Sequence, residues 1–127
     1  MTEFLHHFNC GHTTKCEYIK PENAKTQSFT LVYAHGFCSD PYGRKPEEIK
    51  KWCVERGQGF FRYEIAGHGS DAARFEETTI NTYKEQIFEI VGEMVDGDVV
   101  TAGASLGGWL GLLAAVHFPQ KVKGFLG

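Results

Sequence analysis

The chain has 127 residues, of which 42% are hydrophobic and 23% are charged, and its formal net charge is −3. This length allows one domain at most, and the composition is that of an ordinary globular protein. The slightly negative net charge and the lack of a basic tract argue against nucleic acid and anionic membrane surfaces as partners. No apolar run approaches the roughly 20 residues of a membrane span.

The first residues and the cysteines lead to an expectation about location. Residues 1–8 contain neither an apolar signal core nor an Arg-rich presequence. The four cysteines are too few and too widely spaced to indicate a disulfide framework: Cys10, Cys16, Cys38 and Cys53. We therefore predict a reducing, cytoplasmic environment.

The first part of the chain predicts β structure. Residues 3–8 and 15–20 read as two strands around a turn at residues 9–12, and residues 21–24 predict a further turn. Several possible metal ligands fall in this part of the sequence, and they are His6, His7, Cys10, His12 and Cys16. A structural zinc site needs four converging ligands, usually with C-x₂₋₄-C pairs, and this spacing does not provide them. We predict ordinary strand and turn residues and no metal.

A near-continuous apolar run over residues 29–34 predicts a parallel strand that is covered on both faces. The run ends in a loop that begins with His35, Gly36 and Phe37. A glycine-containing connection between a strand and a helix is one interpretation of this loop when it is taken alone.

Residues 46–57 predict a helix with clear ends. Pro46 suits the first helical turn, and Gly57 suits the left-handed residue that follows a helix. Ile49, Trp52 and Cys53 share one apolar stripe, so we predict that Cys53 lies in the core.

Residues 60–65 predict the next strand, and residues 66–71 predict a glycine-rich loop that contains His68. A histidine in such a loop is a candidate general base. We interpret His68 as a loop-packing residue instead.

The longest helical periodicity in the chain covers residues 79–96. Thr79 or Thr82 is suited to begin this helix, and Gly97 is suited to end it. The sequence therefore predicts one continuous helix of about five turns.

The stretch that carries most functional information is Gly-Ala-Ser-Leu-Gly at residues 103–107. An apolar run at 99–102 predicts a buried strand before it, and residues 109–116 predict a helix after it. G-x-S-x-G between a strand and a helix is typical of a nucleophile elbow, a sharp turn that holds a serine hydroxyl at the carboxyl end of a sheet. Close approach of the strand and the helix explains three glycines: Gly103, Gly107 and Gly108. The alternative, that Ser105 is only a helix N-cap, leaves these glycines unexplained.

From residue 29 onward, predicted strands alternate with helices, which indicates a mostly parallel sheet covered on both faces. With the loops at 35–37 and 67–70 and the stretch at 103–108, this order resembles the N-terminal half of an α/β-hydrolase, over essentially the whole chain. The part after Ser105 is most similar to the lidless esterase branch, which includes an abhydrolase-domain palmitoyl-thioesterase. The resemblance implies an α/β fold with a doubly wound sheet, truncated after the strand that follows the nucleophile helix, as a single incomplete domain over residues 1–127.

The resemblance also implies a chemistry, the hydrolysis of carboxylic esters or thioesters through an acyl-enzyme, with no cofactor and no metal. Ser105 would be the nucleophile, and the backbone N–H groups of Phe37 and Leu106 would form the oxyanion hole. His35 and Gly36, together with the three glycines around the serine, would support the loop and the elbow. The implied partner is a small-molecule acyl ester or thioester, and the oligomeric state is left open.

The catalytic acid and base that such an enzyme needs are missing from this sequence. In the superfamily they follow the nucleophile in the order Ser, then Asp or Glu, then His. No Asp or Glu follows Ser105, and the only later histidine, His117, lies about 15 Å or more along the predicted helix.

Two interpretations therefore stay open. The chain is either a serine hydrolase in truncated form, or a catalytically inactive fragment or binding protein that retains the hydrolase scaffold. A Ser–Asp dyad of the patatin type, which also uses G-x-S-x-G, ranks third. It expects a glycine-rich loop upstream, where this chain has His35, Gly36 and Phe37.

Overall fold

The computed structural model describes residues 2–22 and 28–127. Within this part of the chain six strands form one sheet, and they are β1 (Glu3–His7), β2 (Thr13–Ile19), β3 (Thr30–Ala34), β4 (Gly59–Tyr63), β5 (Val99–Gly103) and β6 (Val122–Leu126). Their order across the sheet is β1-β2-β4-β3-β5-β6. The pairs β1–β2 and β2–β4 are antiparallel, and the other three pairs are parallel. The mostly parallel α/β sheet predicted from the sequence is confirmed, while part of the predicted turn at 21–24 lies outside the described residues.

Helices lie on both faces of the sheet. They are α1 (Arg44–Glu55), α2 (Ile80–Glu89) and α3 (Leu106–His117), and a 3-10 segment covers Gly69–Glu77. On one face, Leu31 and Tyr33 of β3 share a core cluster with Cys53 of α1, which confirms the predicted core position of that cysteine. On the other face, Val32 of β3 belongs to the larger core cluster, together with residues of α2 and α3 such as Ile87. Because successive side chains along β3 point to opposite faces of the sheet, this strand contributes to the core on both faces.

The predicted ends of two helices agree with the structure. Gly57 follows α1 with φ of +69°, the left-handed conformation that glycine adopts without steric cost. Thr79 precedes α2 and forms a capping box with Thr82, in which each side chain hydrogen-bonds to the backbone N–H of the other residue. Both helix ends depend on residues only a few positions apart in the chain, which explains why the sequence alone predicts them.

Two helical predictions need correction. The helix predicted over 79–96 ends at Glu89 and continues as a π-helical turn, Ile90–Met94. Apolar periodicity does not reveal this change, because the apolar residues Ile90 and Val91 within the π-helical turn and Val95 after it are buried. The loop predicted over 66–71 overlaps the start of the 3-10 segment Gly69–Glu77, a polar segment without an apolar stripe for which the sequence makes no other prediction.

Helix α3 is apolar almost all round, yet only part of it is buried. Leu110 and Ala114 of α3 are completely buried, but Trp109, Leu112 and Val116 are exposed, the last of them by 72%. The sheet covers one side of α3 and α2 contacts another. No helix among the described residues is long and apolar enough to cross a membrane.

Candidate active site

Ser105 lies between the end of β5 and the start of α3 in an unusual backbone conformation. Its φ is +55° and its ψ is −119°, and the residue is exposed. A non-glycine residue in a left-handed conformation costs roughly 1–2 kcal/mol, because Cβ approaches the following carbonyl oxygen. The turn therefore holds the serine side chain out at the carboxyl edge of the sheet at an energetic cost, as is common at functional sites.

The close approach of strand and helix at this turn leaves space only for glycine. A Cβ built on Gly107 would lie 1.8 Å from the backbone oxygen of Ala34, and one built on Gly103 would lie 2.4 Å from the carbonyl carbon of Gly107. Gly108 is less restricted, since its Cβ would lie 3.3 Å from the backbone oxygen of Gly103. The first two glycines allow β3, β5 and α3 to meet directly behind Ser105.

The loop that follows β3 reaches the same edge of the sheet as the serine. β3 and β5 are adjacent and parallel, with Ala34 paired to Gly103, so both strands end side by side. A Cβ built on Gly36 would lie 3.7 Å from the Cβ of Ser105 and 3.5 Å from the backbone oxygen of Ala104. The two stretches singled out from the sequence are therefore in contact.

Residues 36–39 form a tight turn beside Ser105. The N–H of Ser39 donates to the carbonyl of Gly36 at 3.2 Å, and Cys38, the third residue of the turn, has φ of +58°. Such a turn requires a positive φ at its third residue and usually has glycine or asparagine there. The N–H of Phe37 makes no hydrogen bond within the described part of the chain. Leu106, as the first residue of α3, has no intrahelical acceptor for its N–H.

His35 fixes the start of this loop and has no free ring nitrogen. Its Nε2 accepts from the N–H of Ile65 at 3.0 Å, so the ring proton lies on Nδ1, which donates to the carbonyl of Gly36 at 2.7 Å. Burial lowers the pKa of His35, because the charged imidazolium would lose its hydration. His35 is therefore a neutral support, and its ring is not available to accept the proton of Ser105.

His68 lies on the neighbouring loop and is used in the same way. Its Nε2 accepts from the N–H of Cys38 at 2.9 Å, and its Nδ1 lies 3.1 Å from the carbonyl oxygen of Ala66. No hydrogen bond among the described residues joins the hydroxyl of Ser105 to a histidine, and His117 instead stacks on Phe88. In the described part of the chain, Ser105 is therefore an exposed serine at the carboxyl edge of the sheet with no histidine hydrogen-bonded to its hydroxyl.

Glu64 is a buried carboxylate whose contacts the sequence does not reveal. It accepts hydrogen bonds from the Ser70 hydroxyl at 2.7 Å, the Ser70 N–H at 3.1 Å and the Tyr42 hydroxyl at 2.9 Å. Burial raises the pKa of this carboxyl, but the hydrogen bonds from Ser70 and Tyr42 outweigh burial, so the pKa lies below its ordinary value. Glu64 joins the loop after β3 to the loop after β4.

A second buried network supports the loop after β4 from the side of α2. Nδ1 of His12 lies 2.6 Å from Oδ2 of Asp71, and the N–H of Gly67 donates to the same oxygen at 2.7 Å. Gln86 of α2 accepts from the N–H of Ala66 at 2.8 Å. Within the described residues no group of three or more possible metal ligands converges around His12 or elsewhere.

A cleft of about 300 Å³ lies between the 36–39 turn and the segment after β4. His68 and Ser39 border it, and the ring of Phe75 forms one wall. Phe37, whose ring lies 5.6 Å from that of Phe75, is 53% exposed. A Cβ built on Gly36 would lie 4.0 Å from the Cβ of Ser39, which borders the cleft, and 3.7 Å from the Cβ of Ser105, which does not. The cleft and Ser105 therefore share only the 36–39 turn between them.

Comparison with solved structures identifies the class of fold, although no protein-family model matches the chain. The structure of alpha/beta hydrolase domain-containing protein 10 from mouse superposes with a TM-score of 0.83 at 25% identity, covering 96% of this chain and 47% of that one. Est1E from Butyrivibrio proteoclasticus with bound ferulic acid gives a TM-score of 0.75 at 24% identity, covering 93% of this chain and 49% of that one. The chain has the α/β-hydrolase fold, and the resemblance predicted from its motifs is confirmed.

Sequence comparison points to one group of hydrolases within that fold. The chain is 28% identical over 126 residues to the mitochondrial palmitoyl-protein thioesterase ABHD10 of Bos taurus, covering 93% of this chain and 41% of that protein. It is 32% identical over 103 residues to the human ABHD10, covering 81% of this chain and 34% of that protein. The chain thus spans about two fifths or less of the length of these relatives.

The same relatives correct one prediction. They are named as mitochondrial proteins, which contradicts the cytoplasmic location expected from the first residues and the cysteines. The prediction was wrong because it rested on features that the sequence lacks, and such absences do not specify a compartment.

Proposed function

We propose that Ser105 is the nucleophile of a serine hydrolase that cleaves carboxylic esters or thioesters through an acyl-enzyme. The observation that carries the proposal is the contact between two loops, where a left-handed, exposed Ser105 lies against Gly36 of the 36–39 turn. This contact brings the N–H groups of Phe37 and Leu106 to the same edge of the sheet as the hydroxyl.

The proposed reaction assigns a role to each group. The oxygen of Ser105 attacks the carbonyl carbon of the substrate, and the carbonyl oxygen becomes an oxyanion. The N–H groups of Phe37 and Leu106 donate to that oxyanion, and such donors are typically worth roughly 2.7–4 kcal/mol each at the barrier. A base takes the proton of the Ser105 hydroxyl and passes it to the leaving oxygen or sulfur as the oxyanion collapses, so that an alcohol or thiol departs. Water then attacks the acyl-enzyme with the same base, releases the carboxylic acid and restores the hydroxyl of Ser105.

An acyl thioester is the substrate class we propose first, because the sequence relatives are named palmitoyl-protein thioesterases. We also propose a mitochondrial location for this protein, because the same relatives are named as mitochondrial. The partly exposed rings of Phe37 and Phe75 supply apolar surface along the 36–39 turn that contacts Ser105, which suits an acyl group better than a charged one.

The chemistry also needs a base, and the neutral rings of His35 and His68 are both fully hydrogen-bonded. We therefore propose that an acid and a histidine outside these 127 residues complete the site. The same observation supports a second candidate, in which the 127-residue protein is a catalytically inactive fragment or a binding protein that retains the hydrolase scaffold.

Labelling of Ser105 tests the two candidates. The 127-residue chain should neither react with a fluorophosphonate probe nor hydrolyse p-nitrophenyl acetate. If the reading frame beyond the codon for Gly127 supplies an Asp or Glu and a His, the longer product should do both, and Ser105→Ala should abolish both. An extended chain that stays unlabelled would contradict the proposed hydrolase and favour the binding protein. Stoichiometric labelling of the short chain would show that an internal base exists.

A further inference from the structure

The turn at residues 36–39 contains a strained residue that is not glycine. Cys38 has φ of +58°, at the position where glycine or asparagine is usual. The turn has one internal hydrogen bond, from Ser39 to Gly36. The N–H of Cys38, inside the turn, is bound from outside by Nε2 of His68, which lies thirty positions further along the chain.

The acceptor itself is rigidly held. Because Nε2 of His68 accepts a hydrogen bond, the ring proton lies on Nδ1, which faces the carbonyl of Ala66 at 3.1 Å. Ala66 is in turn bound to the buried Gln86 of α2. The imidazole also packs edge-on against Phe37 and Phe75, with ring centroids 5.9 and 5.8 Å away. His68 thus connects the turn beside the serine to the core of the protein.

We propose that His68 is a positioning residue for the oxyanion donor, and that it acts through the backbone of Cys38. Its acceptor Nε2 binds the N–H of Cys38 and so fixes the peptide plane between Phe37 and Cys38, which keeps the turn that carries the N–H of Phe37 in its observed shape. The donor role of Phe37 rests on the proposed function above, whereas the control of the turn by His68 does not. A role in ring packing alone is the competing explanation, and the two make opposite predictions.

Two substitutions separate the acceptor from the ring. His68→Gln keeps an acceptor oxygen near the position of Nε2 and removes the ring. His68→Phe keeps a ring of similar size and removes the acceptor. Amide hydrogen exchange of Cys38 is followed by NMR in the 127-residue chain carrying Leu112→Lys and Val116→Lys, which suppress association through the exposed face of α3. In this background it should be about tenfold faster in His68→Phe, the loss expected for one hydrogen bond. Exchange in His68→Gln should remain within about threefold of the original protein.

The controls identify each way in which the proposal fails. His7→Phe, on the exposed side of β1, should leave Cys38 exchange unchanged, and the amide of Phe61 in β4 reports global unfolding in every variant. Unchanged protection in His68→Phe, or equal loss in both His68 variants without unfolding, would overturn the proposal. If either variant unfolds, ¹⁵N shifts of the His68 ring in the original protein decide instead. They should show protonation at Nδ1, and protonation at Nε2 would overturn it.

The proposed function fails separately from this inference. Cys38 exchange does not depend on the serine hydroxyl, so Ser105→Ala should leave it unchanged. In a longer product that reacts with fluorophosphonate, His68→Gln should retain most of the labelling rate, and His68→Phe should lower it about tenfold. Absence of labelling together with protection of Cys38 would count against the hydrolase and not against the role of His68.

Discussion

Ser105 and Cys38 are the two non-glycine residues with positive φ in the described part of the chain, and both lie at the candidate site. Each residue holds a conformation that most side chains avoid, and each is exposed. Strain of this kind persists only where the surroundings determine the backbone strongly. Here the glycines behind Ser105 and the His68 ring beside Cys38 provide those surroundings.

Gly107→Ala tests the steric basis of the turn at Ser105. The added Cβ would lie 1.8 Å from the backbone oxygen of Ala34, and backbone atoms on both sides cannot move apart easily. We expect a loss of about 3 kcal/mol or more in the free energy of unfolding, measured by urea denaturation. Gly124→Ala is the matched control, because its Cβ would meet only Val100 at an ordinary 3.6 Å. Equal stability of the two variants would contradict the close contact.

Glu64→Gln tests the buried carboxylate between the two loops. The pKa of Glu64 is lowered in the folded protein, so its ionised form contributes stability above the ordinary glutamate pKa of about 4.3. That contribution is lost as the pH falls through the lower folded pKa. We expect Glu64→Gln to lose about 2 kcal/mol at pH 7 and to show a weaker decrease in stability between about pH 5 and pH 3.

The control for this prediction is Glu48→Gln, since Glu48 forms an exposed pair with Arg44 on α1. That change should cost less than about 1 kcal/mol and leave the acid limb of the profile unaltered. Chemical denaturation across the pH range measures both variants. A Glu64→Gln profile that parallels that of the original protein would show that this carboxylate does not titrate abnormally.

At the scale of elements, a buried ion network joins α1 to the antiparallel edge of the sheet. Nε of Arg62 on β4 lies 2.9 Å from Glu17 on β2, and Nζ of Lys50 on α1 also lies 2.9 Å from Glu17. Arg62 contacts Glu47 of α1 as well. Burial raises the pKa of Glu17, but Lys50 and Arg62 outweigh burial and lower it. Arg62 therefore links β4, on which it lies, to both β2 and α1 through ion pairs.

Arg62→Met should destabilise the protein by about 3 kcal/mol, because the buried carboxylate of Glu17 then keeps only Lys50 as a positively charged partner. The double variant Arg62→Met with Glu17→Leu should recover most of that loss, since it removes both buried charges. Urea denaturation of the two single variants and the double variant gives the coupling between the residues. Additive losses would show that the pair does not act as a unit.

At the scale of the whole molecule, one side of the fold exposes apolar surface. β6 is an edge strand with Phe125 and Leu126 partly or largely exposed, and α3 exposes Leu112 and Val116. Edge strands and contiguous apolar patches promote association between chains. The 127-residue chain expressed alone should therefore oligomerise or aggregate at micromolar concentration.

Charge placed on this surface tests the explanation. Leu112→Lys with Val116→Lys should lower the associated fraction in sedimentation velocity experiments, because both residues are exposed on α3. Leu5→Lys on β1, at the opposite edge of the sheet, is the control and should have a smaller effect. A monodisperse monomer with a cooperative thermal transition in the unmodified chain would contradict the prediction.

Much of the fold could be predicted because its signals are local. The apolar strand at 30–34, the Thr79 cap and the Gly57 end each depend on residues within a few positions of one another. The context around Ser105 is local in the same sense, since strand, tight turn and helix follow directly in the chain. The assignment of Ser105, Phe37 and Leu106 to chemistry stays a prediction.

The order of strands and helices, the position of the turn at Ser105 and the resemblance to α/β-hydrolases all follow from local patterns in the amino-acid sequence. The side chains that complete the loops around Ser105 are known only from the folded chain. His68 and Cys38 are thirty positions apart, Tyr42 reaches Glu64, and His12 pairs with Asp71 across fifty-nine positions. Such contacts have no local signature, because a buried polar side chain is compatible with many partners until the chain brings one within hydrogen-bonding distance.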